Sequence, residues 1–173
     1  SLVISASVQH FETPEMTDGL FEKYRTTASN DLKLDISLGL TSTKSKETIQ
    51  EILSKIQDSD TIRPQDASRW FVYLIRNSHA RQTTWQWLRE NWTWVKETFG
   101  GDKSYDEFVR YAANSLITRQ ELDEFTEFFT PMLNEPALTR TIELGIREIA
   151  GRVELIERDF DAVKNTLQTS LDS

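Results

Sequence analysis

The sequence has no cysteine and few residues that interrupt helices. Without cysteine it can form no disulfide, no cysteine-ligated zinc site and no thiol nucleophile. It contains six glycines and four prolines, whereas an average chain of this length has about 12 and about 9. This scarcity argues against collagen-like, proline-rich and turn-dense all-β proteins, and it favours helices.

Clustered positive charge and long apolar runs are also missing. The sequence contains 20 lysines and arginines and 28 aspartates and glutamates, so the formal net charge is −8. Nucleic acids and anionic membranes attract basic surfaces, and we therefore expect neither as a partner. No apolar run approaches the roughly 20 residues that span a bilayer, and the first six residues lack the pattern of a signal peptide. The length fits one domain, which we expect to occupy residues 1–173.

Helix start signals recur along the first half of the chain. Thr13 before Pro14 is typical of a helix start, because threonine pairs a free backbone N–H and proline needs no donor at the first helical position. Asn30 and Ser45 are the predicted caps of the next two helices. The helix after Ser45 has one apolar face, formed by Ile49, Ile52, Leu53 and Ile56.

The middle of the chain is rich in tryptophan. Pro64 predicts the start of a helix through the apolar run 70–75, although the β-branched and aromatic residues of this run would also suit a buried strand. A single helix is predicted from Trp85 to Phe99, ended by a glycine pair. We expect the five tryptophans to lie in the core rather than in a sugar or peptide site, since large apolar rings at helical spacing are typical of packing.

Further helices are predicted in the last third of the chain. Two helix starts have the spacing of a capping box, Ser104 with Glu107 and Thr118 with Glu121. Pro136 is predicted to open the longest helix, in which a break is expected near Arg158, with Asp159 as the cap of a short final helix. The apolar residues of this helix repeat every seven positions, as Ile142, Ile149 and Ile156 and as Ile146, Val153 and Phe160.

These segments add up to nine or ten helices without a convincing strand, and so to an all-α fold. Helix pairs begin near Asn30, Pro64 and Ser104, at offsets of about 34 and about 40 residues that are typical of two-helix solenoid repeats. We therefore predict a superhelical stack of antiparallel helix pairs, an α-solenoid. Because the chain opens in apolar residues without a cap, we expect a fragment of a longer chain, with residues 1–12 as the end of an interrupted upstream helix.

Few side chains suggest catalysis. His10 and His79 are the only histidines, and neither lies near the two-histidine, one-carboxylate set of a catalytic zinc site, so we expect no metal ligand here. The sequence has no nucleophile elbow and no glycine-rich phosphate loop. One acidic group, which suits a solvated helix face better than an acid–base pair, comprises Glu121, Asp123, Glu124 and Glu127.

Arginines form the nearest approach to a positive surface. The four that cluster in sequence are Arg69, Arg76, Arg81 and Arg89. If some of them face a concavity they can attract a peptide carboxylate. The alternative is surface pairing with the abundant aspartates and glutamates.

One block of the sequence resembles a known family. The pattern W-x-x-L-x-x-N-W followed by F-G is formed by Trp85, Leu88, Asn91, Trp92, Phe99 and Gly100. Together with residues 38–44, 63–77 and 118–129, this block resembles the C-terminal helical domain of the M1-family zinc aminopeptidases, the aminopeptidase N group, and most closely its bacterial cytosolic form. We interpret the block as a packing signature of that domain.

The resemblance implies an armadillo or HEAT-like domain that closes over the active site of a larger cytoplasmic enzyme. In that family the zinc ligands and the grip on the substrate's amino terminus lie in an earlier domain, and their motifs, H-E-x-x-H and G-x-M-E-N, do not occur in this sequence. The implied domain is non-catalytic and has no cofactor, whereas zinc belongs to the parent enzyme. Its implied partners are the catalytic domain of the same polypeptide and the peptide substrate, with Arg76 and Arg81 as candidate chamber residues.

A protein of another class also fits the helical pattern. A free-standing helical-repeat adaptor that binds a protein or peptide would need the same amphipathic helices and no catalytic motif. Upstream sequence separates the two hypotheses. A preceding H-E-x-x-H and G-x-M-E-N in the same reading frame favours the aminopeptidase, whereas a start codon just before Ser1 favours the adaptor.

Overall fold

The computed structural model describes the backbone of residues 2–171 and the side chains of residues 2–160. Residues 2–171 form ten α-helices and one short 3-10 helix, with no strand. This finding confirms the all-α class. The chain divides into two compact units, residues 1–104 and residues 105–173. The superhelical stacking of helix pairs stays a prediction.

The first unit contains the first seven helices. Their bounds are α1 Leu2–Phe11, α2 Pro14–Thr26, α3 Asn30–Leu40, α4 Lys46–Ile56, α5 Pro64–Arg76, α6 Arg81–Glu90 and α7 Trp92–Phe99. Helix α3 packs mainly against α1 and α2, and α5 packs against α4 and α6. The repeat offsets predict that α3 pairs with the helix that follows it. Its main contacts are instead with the two helices that precede it.

Local sequence explains where these helices begin. Thr13 and Ser45 cap α2 and α4, and each hydroxyl accepts a hydrogen bond from the backbone N–H three residues on. Ser29 caps α3 in the same way, and Asn30 is already the first helical residue. The predicted cap at Asn30 is therefore wrong by one position, because the serine before it has the extended backbone and the free hydroxyl that a cap needs.

Aromatic rings form much of the core of the first unit. The run 70–75 is helical, as predicted, and Trp70 has no exposed surface. Its ring stacks on that of Phe21 with 5.9 Å between centroids. The indole N–H donates to the Tyr24 hydroxyl at 3.3 Å, and that hydroxyl donates to the Asp66 carboxylate at 3.2 Å. The polar groups of Trp70, Tyr24 and Asp66 are thus paired with one another, as burial requires.

The tryptophan-rich segment forms two helices instead of the single helix predicted. Helix α6 ends at Glu90 and α7 begins at Trp92. Asn91 between them has φ −111° and ψ 19°, outside the α-helical region. Its side-chain amide donates to the Trp87 carbonyl at 2.8 Å. Asparagine bonds to nearby backbone in this way and therefore favours helix ends over helix interiors.

The described part of the second unit contains three α-helices and the 3-10 helix. Their bounds are α8 Tyr105–Ser115, α9 Arg119–Phe129, the 3-10 helix Thr130–Met132 and α10 Thr139–Leu171. Helix α10 packs against both α8 and α9. Gly145 of α10 allows this close packing, because a β-carbon there would lie 2.9 Å from Ala113 and from the Phe125 ring.

The predicted capping box at the start of α9 is confirmed, whereas before α8 the Ser104 hydroxyl donates to the Asp102 carboxylate at 2.8 Å instead of capping with Glu107. The Thr118 hydroxyl accepts a bond from the Glu121 N–H, and the Glu121 carboxylate accepts one from the Thr118 N–H. Glu121 is therefore buried, and its assignment to a solvated acidic face is wrong. Asp123 and Glu127 of the same group are exposed, as predicted.

The long helix differs from the prediction at both ends. It begins at Thr139 rather than at Pro136, because residues 136–138 form a turn in which the Leu138 N–H bonds to the Glu135 carbonyl, only three residues back, at 2.9 Å. It also continues without a break through Arg158. Asp159 therefore lies inside α10 and does not cap a new helix, and its carboxylate accepts a bond from the Arg158 guanidinium at 3.1 Å.

The seven-residue apolar repeat of α10 is buried only in part. Ile142, Ile149 and Val153 are buried, whereas Ile156 and Phe160 are 45% and 68% exposed. The repeat predicts the helix and its apolar face correctly. It carries no information on how far the neighbouring helices extend along that face.

Candidate functional site

A pocket of about 480 Å³ lies in the first unit, where the turns that follow α3 and α5 come together. Its lining includes Thr41, Lys44, Tyr73, Arg76, Asn77 and His79. We name it the basic pocket, because Lys44 and Arg76 are cations and none of its ten lining residues is acidic.

Asn77 connects the two turns that form the basic pocket. Its side-chain amide donates hydrogen bonds to the carbonyls of Thr41 and Thr43, at 2.9 and 2.7 Å. Its side-chain oxygen accepts a bond from the His79 N–H at 2.9 Å. These bonds hold the end of α5 against the turn after α3, so that cations from two separate parts of the sequence line one pocket.

The turn after α3 is anchored on other sides as well. The Ser42 hydroxyl bonds to the Ser5 carbonyl of α1 at 3.3 Å. The Thr43 hydroxyl donates to the Glu12 carboxylate at 2.5 Å, in the segment between α1 and α2. The backbone next to Lys44 is therefore held by three neighbouring elements, and such pre-organisation lowers the cost of binding a ligand.

A second pocket of the first unit has the opposite charge. It has a volume of about 360 Å³, and its carboxylates are Glu12, Asp18, Glu47 and Glu51. The pKa of the Glu47 carboxyl is lowered by a hydrogen bond from its own backbone N–H and then by the Ser45 hydroxyl. Glu12 accepts bonds from the hydroxyls of Thr43 and Thr48. At least these two carboxylates thus stabilise the start of α4 and the turn before it.

The structure separates the two arginines predicted for a peptide chamber. Arg76, the last residue of α5, is exposed and lines the basic pocket. Arg81, the first residue of α6, does not line that pocket. Its Nε atom is buried and has no hydrogen-bond partner among the described residues. Of the two, only Arg76 shares the basic pocket with other polar groups.

Sequence reasoning missed Lys44 and Asn77 as site residues. Each lies just after a helix end, where lysine and asparagine often bond to terminal carbonyls. That signal was available in the sequence. The hydrogen bonds that bring the two turns together span more than 30 residues, and nothing in the local pattern predicts them.

The residues of the W-x-x-L-x-x-N-W pattern lie elsewhere in the first unit, in its core. Trp85 and Leu88 have no exposed surface, and Phe99 and Trp92 are 4% and 7% exposed. Asn91 is half-buried at the junction of α6 and α7. Their role as a packing signature of the family stays a prediction.

The described residues do not fit a catalytic zinc ion. No group of three histidine, aspartate or glutamate side chains within the described part of the chain is placed to hold a metal. His10 lies at the end of α1, and His79 lies in the turn after α5. In the same part of the chain, every helix is too short or too polar for a membrane-spanning segment.

Comparison with known proteins identifies the family. A family model described as the ERAP1-like C-terminal domain matches residues 1–151. The chain belongs to this family. It is 35% identical to aminopeptidase N of Lactobacillus helveticus over 170 residues, which cover 98% of the chain and 20% of that relative. It is 31% identical to aminopeptidase N of Lactococcus lactis subsp. lactis over 167 residues, 96% of the chain and 20% of the relative.

A human relative extends the family beyond bacteria. Endoplasmic reticulum aminopeptidase 1 is 27% identical over 159 residues, which cover 91% of the chain and 17% of that protein. The chain spans about a fifth of the length of these relatives or less. The resemblance to the C-terminal domain of the aminopeptidase N group is thus confirmed. Lys44, Arg76 and Asn77 all lie within the part matched by the ERAP1-like C-terminal domain.

Proposed function

We propose that this ERAP1-like C-terminal domain is a non-catalytic part of a zinc aminopeptidase. In this proposal it helps to enclose the peptide while the catalytic domain of the same polypeptide removes the N-terminal residue. The observation that carries the proposal is the family match over residues 1–151, shared with relatives named as aminopeptidases. The motifs H-E-x-x-H and G-x-M-E-N are absent from this sequence, so the chemistry needs residues outside it.

A helical domain of this kind contributes to catalysis without touching the reacting atoms. A wall of packed helices excludes bulk water from a chamber, and electrostatic interactions inside that chamber become stronger. The wall also restricts which peptides enter, and its movement admits substrate and releases product. The residues of this chain would thus bind and orient the peptide, whereas zinc belongs to the catalytic domain.

Two further parts of the proposal concern the peptide and the compartment. Arg76 and Arg81 are the candidate contacts with the peptide, and Arg76 has the better support because its side chain is exposed. We place the parent enzyme in the cytoplasm. The absence of cysteine is compatible with a reducing compartment, where disulfides are rare.

Photo-crosslinking in the parent enzyme tests the enclosing role. The probe is a peptide whose first bond is reduced, so that it is not cleaved, and which carries a benzophenone on its fourth residue. We expect label within the segment that corresponds to residues 1–173, and an excess of unlabelled peptide should suppress it. A matched probe with the benzophenone on the first residue should label the catalytic domain instead. If no benzophenone position labels this segment, the proposal is wrong.

A further inference from the structure

We propose that one side of α1 is an interaction surface, covered in the parent enzyme by a helix of the same polypeptide that lies outside residues 1–173. This side, which we name the outer face of α1, consists of Leu2, Val3, Ala6 and His10. The inference rests on the part of the proposed function that makes the chain one portion of a larger aminopeptidase. It adds the surface through which this portion contacts another.

The outer face of α1 exposes large apolar side chains to water. Leu2 is 85% exposed and Val3 is 78% exposed. Ala6 and His10 are exposed as well. Residues three or four positions apart lie on the same side of a helix, so these side chains form one continuous surface. Covering it removes apolar area from water, which is favourable.

The opposite side of α1 is already covered. Val8 is buried, and Ile4 lies so close to Gly39 of α3 that a β-carbon on that glycine would be 3.0 Å from the Ile4 Cβ. Helix α1 packs mainly against α3. One side of α1 is thus fixed within the first unit, and the outer face is the side that a further helix can reach.

The composition of α1 is that of an interior helix. Its ten residues, LVISASVQHF, include no lysine, arginine, aspartate or glutamate. Within residues 2–171, each of the other nine α-helices contains at least one such residue. The exposed Ile156 and Phe160 of α10, for example, have Glu157, Arg158 and Asp159 between them. A helix that is apolar on all sides is typically buried on all sides.

The size of the outer face favours a neighbour in the same polypeptide over a separate protein. A helix of ten residues is about 15 Å long and about 10 Å wide. Its outer face is therefore far smaller than the roughly 800 Å² that each partner contributes to a stable complex. A contact this small becomes stable when both sides belong to one chain, because the linkage gives them a high effective concentration.

The relatives are long enough to supply that neighbour. The chain covers 20% of aminopeptidase N of Lactobacillus helveticus and 17% of human endoplasmic reticulum aminopeptidase 1. A parent of similar length has about four-fifths of its residues outside this chain. The chemistry of the outer face requires that the covering helix present an apolar side to it, because a charge placed against Leu2 and Val3 would lose its hydration.

Cysteine labelling of the parent enzyme tests the proposal, since these 173 residues contain no cysteine of their own. In the parent, Val3→Cys should react with a maleimide at least about tenfold more slowly than Lys23→Cys, because a covered side chain reacts only after local opening. Lys23 is an exposed residue of α2 and is the matched control. In the separate 173-residue chain the two cysteines should react at similar rates. Mass spectrometry of the labelled peptides measures both rates, and equal rates in the parent would overturn the proposal.

Val3→Glu should change stability in opposite directions in the two proteins. In the separate chain it should raise the urea midpoint slightly, because glutamate in the first turn interacts favourably with the helix dipole. In the parent it should lower the midpoint, because it places a charge in an apolar contact. Val3→Met, which keeps an apolar side chain, should leave both midpoints nearly unchanged. An unchanged or raised midpoint of the parent with Val3→Glu would contradict the proposal.

Two further outcomes separate this inference from its alternatives. If Val3→Cys is also protected in the separate chain, and dilution removes the protection, the outer face binds a second copy and the proposal is wrong. If Val3→Cys stays reactive in the parent while the peptide probe still labels residues 1–173, the covering of α1 is refuted and the enclosing role is retained.

Discussion

Two tryptophans near the start of α7 lie in different surroundings although only one residue separates them. Trp92 is 7% exposed. Trp94 is half-buried, and its ring meets the Trp87 ring edge-on, with 5.9 Å between the centroids. Four of the five tryptophans are buried and Trp94 is not fully covered. Residue type alone does not decide the contribution of a ring to stability, because its burial also matters.

Removal of the Trp92 side chain should be costly. Trp92→Ala is expected to lower the free energy of unfolding by about 3–5 kcal/mol, because it leaves a large cavity in the core. Trp94→Ala is the matched control, and it should cost about half as much or less, because part of that ring already faces water. Urea unfolding of both variants measures the difference. A near-neutral Trp92→Ala would show that this position is not in the core.

Tyr105 is a buried titratable residue of the second unit. Burial raises the pKa of its phenol, and the negative charge of Glu135 raises the pKa further. The Tyr105 hydroxyl donates to the Glu135 carboxylate at 3.2 Å. The folded chain therefore holds this proton at a pH where the unfolded chain, with a tyrosine pKa of about 10, has lost it.

This shift predicts a loss of stability at alkaline pH. Above about pH 10 the unfolded state binds fewer protons than the folded state, so the free energy of unfolding falls as the pH rises. Tyr105→Phe removes the titrating group, and the fall should be shallower in that variant. Urea unfolding at several pH values between about 8 and about 11 compares the two proteins. Equal slopes would show that the Tyr105 proton does not contribute.

At the scale of helices, a glycine allows α1 and α3 to approach closely. A β-carbon on Gly39 would collide with the Ile4 side chain and would lie 3.0 Å from its Cβ. Isoleucine is branched at Cβ and has little rotamer freedom in a helix, so it cannot move aside easily. Gly19 of α2 offers the opposite case, because a β-carbon there meets nothing within 4 Å.

These two glycines should respond to alanine with opposite signs. Gly39→Ala is expected to destabilise the chain by about 1–3 kcal/mol through overpacking. Gly19→Ala should stabilise it by about 0.5–1 kcal/mol, because alanine is the better helix former and the position is open. Unfolding free energies in urea give both values. A Gly39→Ala variant as stable as Gly19→Ala would rule out the close crossing of α1 and α3.

The sequence predicts the starts of several helices because their caps are local. Thr13, Ser45 and the Thr118 capping box act within three residues, and the structure confirms all three. The break at Asn91 was missed, although its hydrogen bond to Trp87 is also local, because the apolar spacing continues across it. The acidic neighbours of Glu121 predict a solvated face, but its bond to the backbone N–H of Thr118 buries it. Local patterns therefore predict most helices. An interruption such as the one at Asn91 is predicted only when the tendency of a side chain to bond to nearby backbone is weighed against the apolar spacing.

The candidate site shows a different limit of sequence reasoning. Arg76 was singled out from its charge, and the structure places it in the basic pocket. Lys44 and Asn77 were not singled out, because their part in the pocket depends on hydrogen bonds between turns that are distant in the sequence. Arg81 has a similar sequence context, yet it lies outside the pocket. The sequence therefore shows which side chains are charged, but tertiary contacts decide which of them line the same pocket.

At the scale of the whole molecule, the chain combines a strongly acidic composition with a basic pocket in its first unit. It belongs to the family of the ERAP1-like C-terminal domain, and the relatives it matches are named as aminopeptidases. The described residues offer no ligand set for a catalytic metal. We propose that this chain helps to enclose the peptide and that the hydrolytic step belongs to the rest of the parent enzyme.

Hydrolysis of an aminoacyl reporter substrate by the purified 173-residue chain, with zinc added, tests this division most directly. We expect no turnover above a protein-free blank, while a full-length aminopeptidase N releases the reporter under the same conditions. Turnover that elutes together with the chain, and that a chelator abolishes, would contradict the account.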